Sequence, residues 1–150
     1  MTNLSQNTIR RLNELLDKLN KQFHINSGGC CYVAYIIARN FDKYKIKYCL
    51  NIECSTESQF TQNSRENVMN KNVVTSATHY YLRCNNLDIN CLGSVFRVIS
   101  ISNKFIQSEH IKGIYDNCHW NDYYNTYNNK TIKNIIYDFF RKELESTSKC

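Results

Sequence analysis

From Thr8 to Phe23, apolar residues recur every three or four positions. Ile9, Leu12, Leu15, Leu16, Leu19 and Phe23 make one stripe, which predicts an amphipathic helix capped by Asn7 or Ser5. His24 to Gly29 breaks the pattern and ends in Ser27-Gly28-Gly29. Cys30 to Phe41 is apolar around most of a helical circumference (Val33, Ala34, Ile36, Ile37, Ala38), the pattern of a buried helix. At Ile46 the period switches to two. Ile46, Tyr48, Leu50 and Ile52 alternate with Lys47, Cys49, Asn51 and Glu53, which predicts a half-buried strand. Cys54 to Thr75 is rich in Ser, Asn and Thr and reads as a long mobile loop. Thr78–Cys84 and Leu87–Cys91 read as two strands around an Asn85-Asn86 turn, because Asn tolerates positive φ; Val95–Ile101 offers one more strand. Asn117–Asn129 is expected to be irregular. Thr131 is expected to cap a last helix with Ile132, Ile135, Ile136, Phe139, Phe140 and Leu144 inward. The sum is one α+β domain over residues 1–150: an N-terminal helix and a buried Cys-bearing helix on an antiparallel sheet, closed by a C-terminal amphipathic helix.

Composition narrows the function classes. An apolar share of 42% with 13% aromatics suffices for a core. The charge of +6 is scattered (Arg10, Arg11, Lys43 to Lys47, Lys130, Lys133, Arg141, Lys142) rather than gathered into a stripe with aromatic platforms, so nucleic acid is not the expected partner. Met1–Gln22 is polar and amphipathic, and no stretch has the length and apolarity of a membrane span. The chain is therefore expected to lack a signal peptide and to be cytoplasmic. Its eight cysteines then read as reduced thiols. No Cys-x-x-Cys pair occurs and Cys49-x4-Cys54 is loose, so neither metal nor cofactor is expected. Absent Pro with abundant Asn, Lys, Ile and Tyr has the look of an AT-rich phage or other viral genome, which would put the protein in host cytoplasm or virion.

Chemistry concentrates in the hairpin and in the start of the second helix. A two-residue turn pairs Arg83 with Asp88, Leu82 with Ile89 and Tyr81 with Asn90. Alternation then puts Tyr80, Leu82, Cys84, Leu87, Ile89 and Cys91 on one face, and His79, Tyr81, Arg83, Asp88 and Asn90 on the other. Asn90 lies diagonal to His79, within reach of one ring nitrogen, leaving the other to act as a base. Cys30 and Cys31 open the second helix, where unpaired N–H groups and the positive dipole end stabilise a thiolate. The cysteine amide, with Asn26 or Ser27, would form an oxyanion hole. Cys30 is the candidate nucleophile and Cys31 the alternative.

These segments carry a resemblance. Gly29-Cys30-Cys31-Tyr32-Val33-Ala34, the strand from Ile46, His79-Tyr80-Tyr81-Leu82 and Leu87-Asp88-Ile89-Asn90 resemble, in order and type, the transglutaminase-like branch of the papain-like superfamily. The likeness spans Ser27 to Asn90. It implies a papain-like/transglutaminase-like core with Cys30 as nucleophile, His79 as base and Asn90 as orienting group. Asn90 stands where that branch has Asp, although papain uses Asn; Cys31 replaces a Trp; and Cys54–Thr75 has no counterpart. The implied activity is a thiol protease-like amide hydrolase, or an acyltransferase, acting on peptide or protein.

Plainer readings stand beside this one. Cys30 and Cys31 fit as small core residues, and His79 as a solvated surface histidine. His110 and His119 are alternative bases on poorly patterned segments, and Trp120 reads as an anchor for the tail. The rival function is non-catalytic: the same fold serving as a viral structural or host-interaction module.

Overall fold

The computed structural model describes residues 3–26, 29–70, 79–89, 97–116 and 126–145. Among them are six α-helices and one antiparallel four-stranded sheet, so the chain is mixed α+β.

Helix α1 (Gln6–Phe23) buries Ile9, Leu12, Leu16 and Leu19 from the expected stripe. Of the two candidate caps Ser5 acts: its Oγ accepts the Thr8 N–H at 3.2 Å. Helix α2 (Cys30–Lys43) is buried along most of its length. It ends in a left-handed Lys45 (φ 57°), with Ile46 N–H donating to Phe41 O at 2.8 Å and Lys45 N–H to Asp42 O at 3.2 Å. Those paired bonds close a helix without needing glycine.

Strands β1 (Cys49–Cys54), β2 (His79–Cys84), β3 (Leu87–Ile89) and β4 (Arg97–Ser102) lie in the order β3-β2-β1-β4. The hairpin register is the expected one: Leu82 opposite Ile89, Arg83 opposite Asp88, Cys84 opposite Leu87. Asn85 and Asn86 both take positive φ (52° and 61°), as a two-residue hairpin turn requires. Arg83 and Asp88 form the cross-strand ion pair at 3.1 Å. β1 is central rather than half-buried: Asn51, on its polar face, is 4% exposed and accepts the Ser100 hydroxyl at 2.8 Å. Its start also moves, from Ile46 to Cys49.

Three further expectations fail. The supposed loop after Cys54 holds helices α3 (Glu57–Gln62) and α4 (Arg65–Met69), packed on β1 and β4. Helix α5 (Ser108–Asp116), packed on α2, was not anticipated. Helix α6 (Thr126–Phe140) begins before Thr131, which is therefore no cap, and runs into a π-helical turn, Arg141–Glu145. Of the stretch read as irregular, 126–129 is thus helical, and 117–125 lies outside the described residues.

The core fills the space between one sheet face and the helices. Phe41 meets Phe140 edge to face at 5.5 Å and Tyr48 at 5.6 Å, with all three at 2% exposure or less. Buried Asn103 stitches polar backbone inside it, donating to Ile46 O at 2.9 Å and accepting from Tyr48 N–H at 3.4 Å. Arg11 grips Glu143 with two bonds, 2.5 and 2.7 Å, tying α1 to the terminal π turn. No described helix is long and apolar enough to cross a membrane.

Candidate active site

Element ends converge at one edge of the core. Because β1 runs antiparallel to both β2 and β4, the end of β1 meets the starts of β2 and β4: Glu53 lies opposite both His79 and Val98. β3 runs toward that end, but its last described residue, Ile89, pairs with Leu82, three residues along β2 from His79; Cys30, at the start of α2, lines a cavity with Tyr80, Leu82 and Ile89.

Cys30 is the first residue of α2, after Gly29 as N-cap. A helix start leaves N–H groups without intrahelical partners, and the dipole there favours negative charge. Gly29 has φ −101°, open to any residue, so its own backbone does not demand glycine. Its N–H is bonded to Ile25 O at 3.0 Å, which removes it as an oxyanion donor. Cys30 lines a cavity of about 10 Å³ with Val33, Ala34, Ile37, Tyr80, Tyr81, Leu82 and Ile89. Its neighbours thus include the residue after His79 and the residue before Asn90. Cys31, 1% exposed, does not line that cavity.

His79 opens β2 and is 2% exposed, so it is not a solvated surface histidine. Its ring stacks on Tyr81, centroids 5.5 Å apart and planes at 21°, as expected for side chains two apart on one strand face. The residues between and beyond them, Tyr80 and Leu82, join the core cluster. The imidazole therefore belongs to the polar face, while Cys30 packs on the apolar one. The register does not by itself bring the thiol and the ring together.

Asn90 and Ser27 lie outside the described residues. Asn26 is half-buried, and its N–H donates to the Asn20 side chain at 3.0 Å, so that amide is engaged locally. His110 Nδ1 accepts the Gln107 N–H at 3.2 Å, a contact at the start of α5 far along the chain from Cys30. His119 and Trp120 are likewise outside the described residues.

The other described thiols differ from Cys30 in setting. Burial pushes Cys54 and Cys84 up, away from thiolate. Cys49 is half-exposed on the polar sheet face beside Arg83. Cys49 and Cys54 point to opposite faces of β1, so they cannot grip one ion, and no described cluster of His, Cys, Asp or Glu has the makings of a metal site.

Sequence reading overlooked two neighbours of His79. Tyr81 was assigned to the right face but given no role; its spacing from His79 was the signal. Glu53 was taken for the outer side of a half-buried strand. Only pairing across β1 and β2 reveals it as a neighbour of His79, and local sequence cannot show that pairing. Comparison with protein-family models, curated proteins and solved structures returned no match.

Proposed function

We propose that this chain is a thiol-dependent amide hydrolase or acyltransferase on a papain-like/transglutaminase-like core, with Cys30 as nucleophile, His79 as base and Asn90 as the group that orients it. The carrying observation is the setting of Cys30: it opens α2, where helix-start N–H groups favour a thiolate, and it packs against Tyr80 of the strand that His79 begins. Cys31 does not line that cavity, which favours Cys30.

The reaction follows from the side chains. The Cys30 proton passes to the His79 imidazole, and the thiolate adds to a peptide or isopeptide carbonyl carbon. The oxyanion meets N–H groups at the start of α2, with Asn26 or Ser27 beside them. Collapse expels the amine, which takes the proton from imidazolium and leaves a thioester on Cys30. Water, deprotonated by His79, then releases the acid and restores the thiol; an amine in its place completes acyl transfer. No cofactor is required. A host-cytoplasmic or virion setting suits the chain if it is viral.

Iodoacetamide near neutral pH is expected to modify Cys30 well ahead of Cys54 and Cys84, which are as buried but lie on strands rather than at a helix start. Cys30→Ala removes the fast site and Cys31→Ala keeps it, as read by peptide mass mapping. Uniform slow labelling of all cysteines would defeat the enzyme reading.

One observation favours the non-catalytic alternative, a structural or host-interaction module. Cys30 and His79 are 3% and 2% exposed, which closes both to solvent. The same labelling decides between the two, because a sealed core thiol reacts only as fast as the protein opens.

A further inference from the structure

Glu53 is half-buried near the end of the central strand, and its carboxylate joins no ion pair or hydrogen bond among the described residues. Its two cross-strand neighbours are His79 on β2 and Val98 on β4. Directly opposed residues of an antiparallel pair carry side chains on the same face, with Cβ atoms about 5 Å apart. Val98 is apolar, so the imidazole is the group opposite Glu53 that can carry charge. Two described arginines of the sheet are committed elsewhere: Arg97 pairs with Glu57 at 2.6 Å, and Arg83, two pairs along the ladder, with Asp88 at 3.1 Å. Tyr81, stacked on His79, has its own cross-strand partner in Asn51, so the same face offers no second acid in that row.

The geometry points to Glu53 as the positioning carboxylate of the site: it holds the His79 imidazolium that forms when Cys30 gives up its proton. This rests on the thiol-enzyme reading and assigns the site a charge that Asn90, a neutral amide, does not bring. Only the thiol proton moves, from Cys30 Sγ to a ring nitrogen. Imidazolium in a buried place needs a counter-charge, and a carboxylate across one ladder rung provides it with little reorganisation.

The test compares wild type, Glu53→Gln and Glu53→Asp in two measurements: the iodoacetamide rate at Cys30 and the side-chain 15N spectrum of His79, both at neutral pH. Gln keeps the shape and removes the charge. It is expected to slow Cys30 about tenfold, what the loss of one modest ion-pair contribution amounts to, and to move the His79 nitrogens toward neutral imidazole. Asp is expected to retain most of both signals, and melting temperatures to agree within a few degrees. The assignment is overturned if Gln leaves rate and spectrum at wild-type values, or if Asp loses as much as Gln at equal stability. Slow Cys30 labelling in the wild type would remove the thiol-enzyme reading, and the imidazole spectrum would still decide whether Glu53 and His79 are coupled.

Discussion

The two faces of the same sheet make different demands on their residues. On one, Leu50, Leu82 and Ile101 stand side by side, each at 1% exposure or less, under α2. On the other, the rungs read Asp88–Arg83–Cys49–Ser102, then Tyr81–Asn51–Ser100, then His79–Glu53–Val98. The first face gains from removing carbon from water, which is large and indifferent to direction. The second gains from paired charges and hydrogen bonds, which are small when wet and depend on geometry. The apolar side of β1 should therefore carry most of the stability and the other side the charges and polar hydrogen bonds, although the residues alternate along one strand.

Leu50→Ala puts that division to its hardest test. A fully buried leucine in the central strand should cost about 2–5 kcal/mol, through lost transfer energy and the cavity left behind. Asp88→Asn, which breaks the Arg83 pair on the other face, should cost about 1 kcal/mol or less, since Arg83 is 45% and Asp88 34% exposed at the side chain. Denaturant unfolding measures both. Equal losses would erase the distinction between the faces.

The hairpin turn keeps the faces from exchanging, since a one-residue slip would send His79 and Tyr81 into the core. Asn86 sits at φ 61°, where glycine carries no Cβ penalty. Asn86→Gly should stabilise by about 0.5 kcal/mol and Asn86→Val destabilise by about 1–2 kcal/mol. If valine were harmless, the turn would not be what holds the register.

The hairpin was legible because three local signals agreed: Asn-Asn at the turn, alternation on both sides, and Arg83 opposite Asp88. Helix α1 was legible from its stripe alone. What escaped was held by partners distant in sequence. α5 contains Gly113, which weakens a helix, and its first N–H, on Ser108, is capped by Asp42 at 2.8 Å, 66 residues away. No window of sequence shows that bond. α3 did leave a local trace: Thr56 accepts the Gln59 N–H at 3.2 Å, as Thr-x-x-Gln predicts, and Gln59 reaches back to Ser55 N–H at 3.2 Å, one residue before the N-cap amide that a capping box would use. Its polar composition hid it, because six residues with no buried side chain have no stripe to find. The site divides in the same way. Cys30 at a helix start and His79 on a polar strand face could be read locally, whereas Glu53 became a neighbour of His79 only through strand pairing.

The smallest expected effect tests whether polar contacts are weak for the reason given, which is exposure and geometry rather than polarity itself. Arg11 and Glu143 form a bidentate pair, with the Glu143 side chain 18% exposed. The Arg11 guanidinium, bonding to both carboxylate oxygens, holds Glu143 below its ordinary carboxylate value of 4.5. A folded-state value lower than the unfolded one means that the unfolded chain binds a proton more readily. The contribution is therefore fully present above about pH 4.5 and drains away as pH falls through the lower folded value. Glu143→Gln cannot titrate. Its melting temperature should fall below wild type at pH 7, and the gap should close on acidification through that window. The Arg83–Asp88 pair offers the contrast. It is single-bonded and wetter at the carboxylate, so Asp88→Asn should show a gap that 0.5 M salt largely removes, while the Glu143→Gln gap survives better. Were salt to erase both gaps alike, the bidentate geometry would contribute nothing beyond surface charge, and polar contacts throughout this chain could be ranked by exposure alone.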